Sequence, residues 1–247
     1  MADDLTHDAF LGGQVMAWQP ARGFRSGIDA VLLAAAVPAT KGQTVLELGC
    51  GVGVASLCLN ARVGDLSMTG VEVQPEYATL ARRNCPDMQV VNADLRNLPA
   101  DLRQKQFHHV MMNPPYYDRT QGTAAQDKGR DMALSGDTPL ADWIDVAVRR
   151  LAPKGHLTLI QHMTRLPDVL VTLHGRLGSI TVMPIMPRPN RAPDLFLLQA
   201  RHSGRAPFVM RPPLLMHANP THDGDKESYT KQLQGILRDG AKLDITA

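Results

Sequence analysis

Apolar residues in this chain gather into short runs divided by glycine, proline or charge, and the runs alternate between strand-like and helix-like spacing. Residues 10–19 read as a short hairpin interrupted at Gly12-Gly13, followed by a turn from Pro20 to Gly23. Residues 28–37 are apolar on nearly every helical face, which predicts a helix held between layers and not laid on a surface. Asp29 is the odd residue within it. After Lys41-Gly42, residues 44–48 form the kind of short apolar run that a parallel sheet buries on both faces. A helix at 52–63, a strand at 68–73 and a helix at 76–84 follow, with Pro75 suited to the first turn. Further strands are expected at 88–92 and 107–112.

Residues 138–151 place Leu140, Trp143, Ile144, Ala147, Val148 and Leu151 on one helical face, with Thr138 as the cap and Pro139 at the first position. A fifth strand is expected at 156–160. Leu166, Leu170, Leu173 and Leu177 then stripe a helix that Gly178 is placed to end. The apolar runs 180–185 and 195–200 are separated only by the Pro-rich stretch 186–194, which leaves no room for a crossover helix, so this pair is antiparallel. Strand and helix alternating in this way predict a Rossmann-like, doubly wound α/β fold: a mostly parallel seven-stranded sheet with an antiparallel final strand. Beyond Gly204 the chain is Pro-rich, polar from 217 to 227, and helical again at 229–238. No internal repeat is present. Residues 1–247 read as a single domain, with 1–40 an N-terminal hairpin and helix, 41–203 the core, and 204–247 a C-terminal extension.

Composition narrows the picture a little. A hydrophobic share of 44% and a charged share of 20% are those of an ordinary globular chain. Lys and Arg number 26 against 24 for Asp and Glu, so a net charge of +2 gives no global attraction to nucleic acid. Any such surface is a local patch. Cys50, Cys58 and Cys85 are odd in number and lack metal-ligand spacing, which argues against a disulfide framework and a structural zinc site. With an acidic start and no apolar run near the ~18 residues that span a bilayer, a cytoplasmic location and no membrane partner are expected.

Open sheets of this kind bind ligands at the carboxyl ends of their strands. The first such end reads Glu47-Leu48-Gly49-Cys50-Gly51-Val52-Gly53, a turn where backbone can approach a ligand without intervening side chains. A dinucleotide site wants its third glycine one residue later than Gly53, so NAD is disfavoured. Glu72 ends the next strand roughly 20 residues on, where a carboxylate can accept both ribose hydroxyls. Asp94 follows the third strand, suited to accept from a cofactor's adenine amine. These residues in chain order resemble the class I S-adenosylmethionine-dependent methyltransferases, over about residues 45–200. The resemblance implies S-adenosyl-L-methionine as cofactor, touching Glu47, Gly49, Gly51, Gly53, Glu72, Val73, Asp94 and Leu95.

The fourth strand exits through Asn113-Pro114-Pro115-Tyr116, followed by Tyr117. An exocyclic amine on adenine, or an amide nitrogen, is a poor nucleophile because its lone pair is delocalised. The Asn113 side-chain oxygen and the Pro114 carbonyl can each accept one N–H, turning the lone pair toward the methyl donor. Pro114 and Pro115 stiffen the turn, and Tyr116 offers a face for an unstacked base. The motif is shared by adenine-N6 methyltransferases and by enzymes that methylate a glutamine of translation release factors. A second aromatic, as at Tyr117, is more typical of the adenine enzymes.

Gly23-Phe24-Arg25-Ser26-Gly27-Ile28-Asp29-Ala30-Val31-Leu32-Leu33 resembles the segment before the cofactor strand in bacterial tRNA adenine-N6 methyltransferases that modify a valine tRNA beside its anticodon. That likeness implies tRNA as the RNA partner and places Arg25, Ser26 and Asp29, with Asn113, over the cofactor's methionine end. Arg119, Lys128, Arg130, Arg188 and Arg191 flank the expected site, together with Tyr117, as candidate RNA contacts. Two rival readings stay open: a protein glutamine N5-methyltransferase of the release-factor type, and a non-catalytic RNA-binding module on the same fold.

Overall fold

Buried runs and glycine breaks become layers in the computed structural model, which describes residues 5–116, 138–220 and 228–246. The chain opens with an antiparallel hairpin, β1 (Leu5–Phe10) and β2 (Val15–Pro20), joined by a tight turn through Gly12 and Gly13. The hairpin therefore begins five residues before the expected start. α1 (Ile28–Ala36) is buried from Ala30 onward and packs against α2 (Val54–Val63), as an all-apolar helix between layers must. Its carboxyl end is held by Arg62 and Gln199, which donate to the carbonyls of Ala34, Val37 and Ala36.

The main sheet is built from β3 (Thr44–Leu48), β4 (Ser67–Glu72), β5 (Gln89–Asn92), β6 (Phe107–Met112), β7 (Leu151–His162), β8 (Gly178–Met186) and β9 (Leu195–Arg201). Two short strands, β10 (Val209–Met210) and β11 (Leu214–Leu215), pair with β8. Among the described residues the sheet thus has nine strands where seven were expected, in the order β10-β8-β9-β7-β6-β3-β4-β5 with β11 also on β8. β9 is antiparallel to both neighbours, and the other pairings are parallel. Strand order reverses between β3 and β6. Their register, Glu47 opposite Met111 and Leu48 opposite Met112, brings the two exit turns out side by side.

α3 (Pro75–Asn84) and α4 (Ala100–Gln104) connect the outer strands, while α5 (Leu140–Arg150) and α6 (Leu166–Leu173) flank β7. Pro75 sits in the first turn of α3, as expected. α5 is shorter than its apolar stripe suggested: Pro139 occupies the cap position with an extended ψ of 145°, no side chain caps the helix, and Thr138 lies outside it. Leu151 already pairs with Phe107 in the sheet. α6 ends at Leu173, with the left-handed Gly175 just beyond it. Gly178 instead opens β8, where the Gly204 backbone packs so closely that a Cβ would overlap its carbonyl. α7 (Lys231–Asp239) is capped by the Thr230 hydroxyl and buries Leu233 and Ile236. Among the described residues no helix is long and apolar enough to cross a membrane.

Two polar tethers lock the layers around the β3 exit. Asn84, at the end of α3, accepts from the Trp18 amide at 2.8 Å and donates to the Trp18 and Val52 carbonyls at 2.9 Å each, binding the hairpin to the glycine turn. Glu47 is buried inside β3, with the Ser56 hydroxyl donating to it at 2.5 Å. Burial raises its carboxyl to about 8, with the Ser56 bonds opposing the rise and Glu72 adding to it.

Each tether gives a testable outcome. Asn84→Ala is expected to lower unfolding free energy by about 2 kcal/mol and to speed amide exchange across β1 and β2, because three part-buried hydrogen bonds are lost together. The native state keeps a proton on Glu47 between the ordinary value of 4.5 and about 8, a proton the unfolded chain releases. Stability therefore falls as pH rises through that window, at most by about 1.4 kcal/mol per pH unit. Glu47→Gln removes that slope. Urea denaturation of the variant at about pH 5 and pH 8 should show it gaining on the wild type by up to about 3.5 kcal/mol.

Candidate functional site

The turns that leave β3, β4, β5 and β6 meet around one cleft at the carboxyl rim of the sheet, with about 920 Å³ of free space counted out to its open mouth. Gly49 and Gly51 line one wall; Glu72, Val73, Asp94 and Leu95 line the next; Asn113, Pro114, Pro115 and Tyr116 face them. The two turns singled out in the sequence thus share a single cavity.

Gly49 is required by packing. It has φ 67°, and a Cβ there would lie 2.5 Å from the Trp143 ring, which α5 lays across the turn. Trp143 is nearly buried, lines the cleft, and its indole N–H has no partner among the described residues. Gly53 serves a different purpose. It has φ 89° at the cap of α2, and a Cβ would lie 2.6 Å from Cys85 Sγ, so it brings α2 onto α3 and does not line the cleft.

Glu72 is positioned by backbone: the Gly51 amide donates to Oε2 at 2.9 Å and the Gln74 amide to Oε1 at 2.8 Å. Burial raises its carboxyl above the usual range, and those two bonds oppose the rise. Each oxygen keeps a further lone pair for a ligand. Asn92 donates to the Glu72 and Val73 carbonyls and so pins the end of β4. Asp94 sits on the same wall, but both its oxygens are engaged by Arg96, whose guanidinium bonds hold its carboxyl below the usual range. Phe24 closes the cleft from above. Its amide donates to the Tyr77 hydroxyl at 3.0 Å and its carbonyl accepts from that hydroxyl at 3.2 Å, while its ring approaches Gly51.

On the opposite wall, the Asn113 side-chain oxygen is buried with no partner among the described residues. Gln161, fully buried at the end of β7, donates to the carbonyls of Pro114 at 3.2 Å and Pro115 at 3.4 Å, and accepts from the His162 amide at 2.8 Å. The Tyr116 hydroxyl donates to Asp29 Oδ2 at 2.5 Å, and its ring lies 6.5 Å from that of His162, tilted by 50°. Burial, then the Asp29 charge and hydrogen bond, push the Tyr116 hydroxyl far above the ordinary phenol range.

The remaining candidates lie elsewhere. Arg25 is exposed and paired with Asp8 at 2.5 Å, and the Ser26 backbone bonds both ends of the Gln19 amide, so neither lines the cleft. Glu47 lies beneath the glycine turn, turned toward α2. Arg188 and Arg191 sit in the loop between β8 and β9; β8 runs parallel to β7, so the loop is on the same rim but beyond the cleft. Tyr117, Arg119, Lys128 and Arg130 fall outside the described residues. Trp143, Phe24, Tyr77 and Gln161 were not singled out from sequence. Gln161 left one signal there, as the polar residue that ends an apolar strand.

A family model described as the methyltransferase small domain matches residues 27–183. A curated protein of Shewanella loihica named tRNA1(Val) (adenine(37)-N6)-methyltransferase is 30% identical over 192 residues, covering 73% of this chain and 78% of that protein. One of the same name from Shewanella baltica is 32% identical over 174 residues, covering 65% of this chain and 70% of its own length. Among solved structures, a predicted O-methyltransferase from Agrobacterium tumefaciens superposes with a TM-score of 0.70 at 25% identity, over 89% of this chain and 100% of that one. The family match runs from the start of α1 through the glycine turn and the paired prolines into β8, and the chain belongs to the methyltransferase small domain family.

Proposed function

We propose that this protein transfers a methyl group from S-adenosyl-L-methionine to the exocyclic N6 amine of an adenine in tRNA. The observation that carries the reading is the Asn113 oxygen: a buried acceptor without a donor among the described residues, beside the glycine turn and across from Glu72. A buried acceptor of this kind costs about 1–3 kcal/mol if it stays unpaired, so a site that retains one fits a ligand that brings an N–H.

The cleft fits the cofactor on the same grounds. Glu72 has lone pairs free for a ribose diol, Val73 and Leu95 offer apolar contact to a base, and Gly51 puts no side chain into the space beside it. When bound, S-adenosylmethionine supplies an electrophilic methyl group on a sulfonium. The chain supplies the orientation. Asn113 and the second lone pair of the Pro114 carbonyl accept the two N–H hydrogens of the amine, and Tyr116 bounds the space for its ring. The amine becomes cationic only as the new bond forms, so no residue has to remove a proton beforehand. Arg188 and Arg191, on the same rim, are placed to meet phosphates of an RNA longer than the cleft. The relatives' names supply tRNA1(Val) and adenine 37 as the first species and position to map.

Incubating the protein with methyl-labelled cofactor and either total tRNA or a translation release factor tests the reading. Label in RNA, recovered as N6-methyladenosine by mass spectrometry, is expected; label in protein alone overturns it. Asn113→Ala should cut turnover at least ~100-fold with cofactor affinity nearly unchanged, because it removes an interaction made with the acceptor. Glu72→Ala should do the reverse in calorimetry, weakening cofactor binding by roughly 10-fold or more.

A further inference from the structure

An asparagine amide has nearly the same shape when turned over, so an acceptor amine meets either an oxygen that takes its hydrogen or an NH2 that repels it. Something must decide which face Asn113 presents. We infer that Asp29 and the Tyr116 hydroxyl are positioning groups that fix the orientation of the Asn113 amide, so that its oxygen faces the acceptor amine. The inference rests on the methyl transfer proposed above.

The order of donors and acceptors has a definite direction. Asp29 Oδ2 accepts from the Tyr116 hydroxyl at 2.5 Å. A carboxylate only accepts, so the single phenol proton is committed to it. The phenol oxygen then has only lone pairs to offer, and the Asn113 side chain, which acts on that hydroxyl so as to favour its ionised form, must turn its NH2 toward it. The Asn113 oxygen is left facing away from the pair, which is where it is found without a partner among the described residues.

Asp29 can hold this position because α1 is rigid. Every residue from Ala30 to Ala36 is buried, and the helix end is anchored by Arg62 and Gln199. The one acid of an otherwise apolar helix therefore faces Tyr116, 87 positions away in the chain, and not the solvent. Gln161 completes the frame from β7 by fixing the neighbouring carbonyls, and its own orientation is set by the His162 amide, which can only donate.

The test uses the full-length chain and an RNA that the wild type methylates. Tyr116→Phe and Asp29→Ala should each lower kcat by roughly 10- to 100-fold, with KM for RNA and cofactor affinity changed less than about threefold. The double variant should be no worse than the poorer single, because both break one relay. Asp29→Asn, whose amide oxygen still accepts from the phenol, should recover most of the rate. A kcat within twofold of wild type for either single variant, losses that multiply in the double, or a tenfold drop in cofactor affinity for Asp29→Ala would overturn the inference.

A readout independent of turnover is the titration of 13Cζ-labelled tyrosine. Tyr116 should stay protonated well above the usual phenol range in the wild type and ionise closer to that range in Asp29→Ala. Ordinary titration of Tyr116 in the wild type would break the relay. If the wild type methylates no RNA the proposed function fails, and the tyrosine titration still decides the relay.

Discussion

The parallel pairing of β3 with β6 is the constraint on which the rest of the molecule depends. The strand order reverses there, so the helices after the two strands leave to opposite sides and a crevice opens between their exits. Adjacent strands lie about 4.8 Å apart, and that spacing sets how closely the glycine turn faces the paired prolines. A slip of one residue would turn Glu47 and Met111 to the wrong faces and part the two turns. The remaining structure secures this crevice: Phe24 and, on α1, Asp29 border it, Asn84 ties the hairpin to the glycine turn, and α5 lays Trp143 over Gly49.

Three acids near the crevice show how one carboxyl group takes different roles from its surroundings. Glu47, buried and met by a single hydroxyl, is held toward its neutral form and acts as part of the core. Glu72 is buried too, but two backbone amides orient it toward the cleft. Asp94 is more open and bound by Arg96, which keeps it charged and leaves it less capacity for a ligand. Residue type alone placed all three on one list; their neighbours separate them.

Much of the architecture was legible in the sequence where burial on two faces left little choice. β3 and β6 begin and end where their apolar runs do. The ends that moved did so for tertiary reasons: Gly178 serves a close backbone approach and not a helix stop, and Leu151 is drawn from its helical stripe into the sheet. β10 and β11 are two residues long and lie among prolines, so no periodicity could reveal them. In the site, Asn113 to Tyr116 and the glycine turn were legible because a parallel sheet puts strand exits on one rim. Trp143 was not, since a helical stripe looks the same against a core as against a cleft wall. Arg25 and Ser26 were assigned from the likeness of residues 23–33 to a family segment, and in the structure both have local partners in the hairpin.

Pro114 and Pro115 contribute carbonyls but no N–H, so this turn cannot satisfy itself from its own backbone and borrows its donors from Gln161, about 46 positions further along the chain. The four-residue motif is therefore only half of a two-part device whose other half lies on the next strand. Transplanting Asn-Pro-Pro-Tyr alone onto another sheet would carry over the letters without the geometry, whereas a graft that brought the neighbouring glutamine would move the working unit.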